Sequence, residues 1–236
     1  MLHVCSEQGR RGYKHGGDSP GMKENIKLCI AGASGLVGSS IVRAALERGY
    51  SVNGTLRDKS DSEKSLYLKR LLGGERLELF TAEMANGSSF DLPLMGADAV
   101  FIACLIPTYK GPSGTLALEM DLEQGYAEII KPTVDGCLNI LRSAQQNGVN
   151  KAVICSSTSS TNPSTSVPFK NEVEHWSDEN EQCRVKKYTS ATKTIMEKAA
   201  IRFAQEHGIR LSIMLPTGLY GKAVLPTHMN HNPFAW

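Results

Sequence analysis

Apolar residues in this chain follow two spacings that take turns. Residues 27–31, 51–56, 77–81, 99–104, 152–155 and 211–215 are short, nearly continuous apolar runs of strand length, the pattern of strands covered on both faces. Between them the apolar positions recur at helical spacing, with helices expected to begin near Leu36, Asp61, Ser88, Leu118 and Ser190. The fourth connection is the longest: Met120, Tyr126, Ile129, Ile130, Val134, Leu138, Ile140 and Leu141 fall on one helical face, Asn147-Gly148 supplies a stop, and Pro132 is expected to kink it. Alternation of this kind predicts an α/β protein, a doubly wound parallel sheet with helices on both faces. The Ser- and Thr-rich stretch 156–166 then reads as a loop leaving the carboxyl end of the fifth predicted strand, the edge where open α/β sheets bind ligands.

Composition narrows the function classes. A formal charge of +2 with no basic block gives no reason to expect nucleic acid or an anionic membrane as a partner. No apolar run reaches the length of a membrane span, and the first 22 residues lack the hydrophobic stretch of a signal peptide. The cytoplasm is the expected location. The six cysteines are scattered without a C-x-x-C pair and read as core thiols of a reducing compartment. Residues 1–22 read as a disordered leader, with Met22 a candidate start of the folded part; 23–224 read as one nucleotide-binding domain and 225–236 as the beginning of a further, truncated lobe.

The chemistry is concentrated in Ile30-Ala-Gly-Ala-Ser-Gly-Leu-Val-Gly38, an apolar strand that turns through three glycines into a helix. First-turn amides of a helix have no intrahelical acceptor, and with the positive end of the helix dipole they suit a pyrophosphate. Gly32 is expected to make the tight turn, Gly35 to let the backbone approach phosphate, and Gly38 to pack the helix on the sheet; Leu36 and Val37 would offer their N–H groups. The end of the second predicted strand reads Gly54-Thr-Leu-Arg-Asp58, with Leu56 where an acid would hold the ribose hydroxyls of NAD. Arg57 brings a planar fork suited to a phosphate, and Lys64 follows as a point charge, so NADP(H) is favoured over NAD(H); Asp58 turned toward the ribose would reverse that choice.

With these residues in hand, the chain resembles the extended short-chain dehydrogenase/reductases of the NAD-dependent epimerase/dehydratase superfamily, within them the dihydroflavonol reductase and cinnamoyl-CoA reductase group. The resemblance runs from about Ile26 to Gly221, through the glycine turn, Thr55-Leu-Arg-Asp58, Val100 to Pro107, Ile130-Lys-Pro-Thr-Val-Asp-Gly136, Val153 to Ser157 and Leu215-Pro-Thr217. It implies a Rossmann-type fold and NADP-dependent reduction of a small aldehyde or ketone to an alcohol. It also implies a substrate lobe after the sixth predicted strand, mostly absent from this sequence, and cofactor-channel positions at Ala103 and Pro216.

By the same resemblance Ser157 holds the carbonyl, with Ser156 and Ser159 as neighbours able to replace it, while a tyrosine lowered in pKa by a lysine gives the proton. Lys193 falls in the lysine position and would also bind the nicotinamide ribose. The family motif is Tyr-x-x-x-Lys, but here Tyr188 precedes Lys193 by five residues and Thr189 stands at the four-residue position. On a regular helix a five-residue step turns the side chain by roughly 140°, too far for direct pairing. Tyr188 therefore works only if the first turn is irregular or a π-bulge absorbs one residue; otherwise it is a packing residue. Three readings stay open: the carbonyl reductase, a sugar-nucleotide epimerase or dehydratase holding NAD tightly, and an inactive NADP-binding protein. No metal is expected, since His228 and His231 have no cysteine or carboxylate beside them and read as a polar tail; Phe234 and Trp236 suggest a fragment, a shortened isoform or a homodimer contact.

Overall fold

The computed structural model describes residues 2–4 and 25–230. Its sheet has seven strands: β1 (Leu2–Val4), β2 (Lys27–Ala31), β3 (Ser51–Leu56), β4 (Leu77–Thr81), β5 (Ala99–Ile102), β6 (Lys151–Cys155) and β7 (Arg210–Met214). They lie in the order β1-β7-β6-β5-β2-β3-β4, with β2 to β7 parallel and β1 antiparallel against β7. The doubly wound parallel sheet is thus observed. β1 is an addition that the apolar pattern does not announce, and it lies within the segment expected to be a disordered leader; the remainder of that leader lies outside the described residues.

The helices are α1 (Leu36–Glu47), α2 (Ser62–Lys69), α3 (Asp91–Leu94), α4 (Leu122–Gly125), α5 (Lys131–Gln146), α6 (Glu179–Arg184) and α7 (Tyr188–Glu206). Leu28 and Ile30 of β2 pack with Val42 and Leu46 of α1 and Leu68 of α2 on one side of the sheet. Cys29 and Ala31 of the same strand face the other side, in one core with Ile140 and Leu141 of α5 and Met196 and Ala200 of α7. Period-two alternation along a strand buried on both faces explains why β2 reads as unbroken apolar sequence.

Three local expectations are corrected. The helix expected near Ser88 is a 3₁₀ turn, Gly87–Phe90, running into the four-residue α3, because Pro93 and the short spacing leave no room for a longer helix before β5. The helix expected from Leu118 starts at Leu122, capped by Asp121, whose carboxylate accepts the Gln124 N–H. Between α4 and α5 the five residues Tyr126–Ile130 are π-helical. Pro132, at the start of α5, has no N–H to bond the carbonyl one turn back, so the ladder widens just before it.

From β2 to β4 the chain builds one half of the sheet, then returns to the other side of β2 through β5. The switch point falls between β2 and β5, where a crevice opens at the carboxyl ends of the strands.

Candidate active site

The glycine turn occupies that crevice, and its glycines answer to different constraints. Gly32 has φ +85°, and a Cβ on it would lie 2.8 Å from the Cβ of Cys104, beyond the end of β5. A Cβ on Gly38 would lie 2.0 Å from the Gly32 carbonyl oxygen, so only glycine lets α1 pack this close to the turn. At Gly35 the nearest atoms to an added Cβ are the Gly32 carbonyl at 3.4 Å and the Ala103 carbonyl at 4.0 Å, ordinary contacts that the protein itself would tolerate. The fold itself therefore does not require glycine at this position. Gly35 is also the N-cap of α1, so no side chain covers the first-turn amides of Leu36 and Val37, and no acid sits in that turn. First-turn amides that no side chain caps, at a glycine-lined turn, are the donor set that suits the pyrophosphate of a dinucleotide. Thr55, at the end of β3, fixes the turn: its hydroxyl accepts the Gly32 N–H at 3.1 Å and its carbonyl accepts the Ala33 N–H at 2.8 Å.

Arg57 follows β3 and is exposed. Asp58 faces its own turn, accepting the Ser60 N–H at 2.8 Å and the Ser60 hydroxyl at 2.7 Å, bonds that hold its carboxyl below the usual range. Lys64 is tied to Asp61 at 2.6 Å, so of the two cations Arg57 is the one presented without a neighbouring acid in contact. Ala103 lies across from Gly35, and Pro216 receives the Thr158 N–H at its carbonyl, joining the exit of β7 to the loop after β6.

Lys193 is buried in α7, and its Nζ donates to the Leu105 carbonyl in the segment after β5. Burial pushes its pKa down, opposed by the Cys155 and Cys137 thiols and Glu197. With Thr189, Thr192, Thr133 and Thr108 it lines one narrow cleft. Thr189 is on the Lys193 face one turn earlier, and its hydroxyl donates to the Thr108 carbonyl at 2.7 Å. Ser157 is half-buried in extended backbone at the end of β6, with its hydroxyl accepting the Ser159 N–H at 3.2 Å.

Tyr188 is not brought to Lys193. α7 is regular α-helix from Tyr188 to Glu206, so the π-bulge that would have turned the tyrosine is absent there. The phenol ring instead packs over Gly125, where an added Cβ would lie 2.4 Å from it, in a cluster with Met120, Ile129, Ile130 and Ala191. Its hydroxyl donates to the Met120 carbonyl at 3.4 Å. Burial pushes its pKa up, aided by Cys183 and Asp121, the opposite of what a neutral-pH proton donor requires. The π-helical segment lies in the facing connection, against this ring.

Sequence reasoning passed over two residues here. Glu197 is fully buried one turn beyond Lys193 and accepts the Ser156 hydroxyl at Oε1; its four-residue spacing from Lys193 was a visible signal. His228, expected in a polar tail, places Nε2 2.9 Å from the Ser34 carbonyl on the glycine turn, while neighbouring Leu225 is buried in the α1 core. His231, Phe234 and Trp236 lie outside the described residues. Among the described residues no cluster of three metal-ligating side chains occurs, and no helix is long and apolar enough to cross a membrane. A cavity of about 720 Å³ lies behind α1, between Ile41, Tyr50, Phe101 and Tyr220, away from Ser157 and Lys193.

The sheet order and the glycine turn at its switch point make this a Rossmann-type α/β domain. The sequence matches the NAD dependent epimerase/dehydratase family over residues 28–235, and the chain belongs to that family. It is 34% identical over 206 residues to tetraketide alpha-pyrone reductase 1 of Arabidopsis thaliana, covering 85% of this chain and 59% of that protein. Dihydroflavonol 4-reductase of Callistephus chinensis is 36% identical over 217 residues, 87% of this chain and 56% of its own length. The crystal structure of vestitone reductase from alfalfa superposes with a TM-score of 0.66 at 28% identity, over 85% of this chain and 59% of that one. The chain therefore spans between half and two thirds of these relatives' lengths.

Proposed function

We propose that this chain binds NADP(H) and forms the nucleotide-binding part of a reductase that converts an aldehyde or ketone to an alcohol. The observation that carries the proposal is the glycine turn between β2 and α1, where Gly35 caps the helix and no side chain is bonded to the first-turn amides. Reductase names among the relatives support the reaction class. Bound there, the dinucleotide supplies or accepts a hydride. The amides of Leu36 and Val37 hold the pyrophosphate, and Arg57, with Lys64 drawn from Asp61, holds the 2′-phosphate. Ala103 and Pro216 would line the channel, Lys193 would reach the nicotinamide ribose, the Ser157 hydroxyl would donate to the carbonyl oxygen, and the proton that completes the alcohol would come from solvent water, since the Tyr188 hydroxyl is directed to Met120.

A second reading, dinucleotide binding without turnover, is favoured by the placement of Tyr188, whose hydroxyl is spent on the Met120 carbonyl. One experiment separates the two. The purified chain is titrated with NADPH and with NADH by nicotinamide fluorescence, then supplied with aldehydes and ketones while absorbance loss is followed. Tight NADPH binding with turnover supports the reductase; NADPH binding with no turnover on any carbonyl supports the second reading; NAD that co-purifies with the protein favours an epimerase or dehydratase. No binding of either dinucleotide rejects all three.

A further inference from the structure

Glu197 is an acid in an apolar setting, and its two oxygens are treated differently. Oε1 accepts the Ser156 hydroxyl, whereas Oε2 is buried with no hydrogen-bond partner. The second hydroxyl beside this carboxyl is that of Ser160. Ser160 is itself fully buried, and its single hydroxyl proton is directed to the Ser157 carbonyl at 3.0 Å. A hydroxyl that has committed its proton still has lone pairs to accept another. An ionised Oε2 would therefore stand buried without a donor, which is costly; protonation removes that cost and makes the oxygen a donor for a neighbouring hydroxyl.

We propose that Glu197 is a protonated positioning residue that clamps the turn carrying Ser157: Oε1 accepts from Ser156, Oε2–H donates to Ser160, and Ser160 donates to the Ser157 carbonyl. The clamp ties both flanks of Ser157 to α7, the helix that carries Lys193. Serine and lysine are thereby held on one rigid unit, as a preorganised site requires. This role rests on the reductase reading only for the purpose Ser157 serves; the clamp itself is a property of the fold.

Burial supports the protonated form, pushing the Glu197 carboxyl up to about 7 against the pull of the Ser156 and Ser160 hydroxyls and of Lys193. The other titratable group facing it is the Cys137 thiol of α5, which burial holds neutral. Lys193, on the same helix, is itself pushed toward neutrality by burial. The Lys193 Nζ is directed to the Leu105 carbonyl rather than to Glu197.

The test is amide hydrogen exchange of peptides spanning residues 155–161 in the full chain, without cofactor, compared among wild type, Glu197→Gln and Glu197→Leu. Glutamine reproduces a protonated glutamate, accepting at its oxygen and donating from its amide to Ser160, but it cannot replace an ionised one. Glu197→Gln is expected to keep wild-type protection, and Glu197→Leu to exchange at least about tenfold faster, the size of one lost buried hydrogen bond. A second measurement needs no disruptive variant. After correction for intrinsic rates, wild-type protection of this turn falls as pH rises from about 4.5 through about 7, while Glu197→Gln stays flat. Faster exchange in Glu197→Gln than in wild type, or identical pH profiles for the two, would overturn the clamp. A separate NADPH titration of the same samples reports on the reductase reading, so its failure leaves the exchange result to decide Glu197 alone.

Discussion

The glycine turn and the start of α7 lie at the same edge of the sheet, yet they were legible to very different degrees. The turn is made of backbone: three glycines at fixed intervals give a positive φ at Gly32, a close approach at Gly38 and a helix cap without a side chain at Gly35. None of these depends on which way a side chain rotates. The start of α7 is made of side chains whose direction follows helical phase, and there one residue of displacement sends Tyr188 into the core and leaves Thr189 over the cleft. A backbone-built site survives small changes of register, whereas a side-chain constellation on a helix does not.

The largest expected effect breaks the turn itself. Gly38→Ala forces a Cβ to within 2.0 Å of the Gly32 carbonyl, and denaturant unfolding should show a loss of about 3 kcal/mol or more. Arg57→Ala leaves the fold intact but removes the exposed guanidinium after β3; the ratio of NADPH to NADH affinity should drop by about 10- to 100-fold in fluorescence titrations. Gly35→Ala sharpens the contrast with Gly38, because its Cβ meets only ordinary contacts. Stability should change by no more than about 1 kcal/mol, while NADPH affinity weakens at least about tenfold.

At the α7 end the effects are smaller and one depends on pH. Glu197 has a folded pKa of about 7 against 4.5 for an unperturbed carboxyl, so the folded state binds its proton more tightly than the unfolded state does. Its contribution to stability is full below about pH 4.5 and is lost as pH rises through about 7. The difference in unfolding free energy between wild type and Glu197→Gln should accordingly grow in the variant's favour across that window. Tyr188→Phe removes one long hydrogen bond to Met120 and should cost about 1 kcal/mol or less. Whatever carbonyl turnover exists should stay within about twofold of wild type; a fall of about 10²-fold or more would mean that the phenol does give the proton.

Six parallel strands and the two-sided helix cover were legible because buried parallel strands and amphipathic helices carry opposite periodicities. β1 was not, since an antiparallel edge of three residues carries too little pattern to register, and neither was α6, whose six residues bury none of their side chains. The π-helical segment at Tyr126–Ile130 was half visible: Pro132 marked the place, but a kink and a widened turn answer the same missing N–H. Among site residues, Gly32, Gly35 and Gly38 could be argued from spacing, and Lys193 from the resemblance to the family's motif. Glu197 escaped because a lone glutamate in a helix is ordinarily solvated, and only the packing of α7 against the β6 exit shows that this one is not.

The most direct measurement is a fluorescence titration of the full chain with NADPH, run beside Gly35→Ala. Saturable nicotinamide enhancement by the wild type, weakened by the added methyl group at unchanged stability, is the expected result. A well-folded wild type that leaves NADPH fluorescence and heat of mixing unchanged would contradict the assignment of the turn as a dinucleotide site.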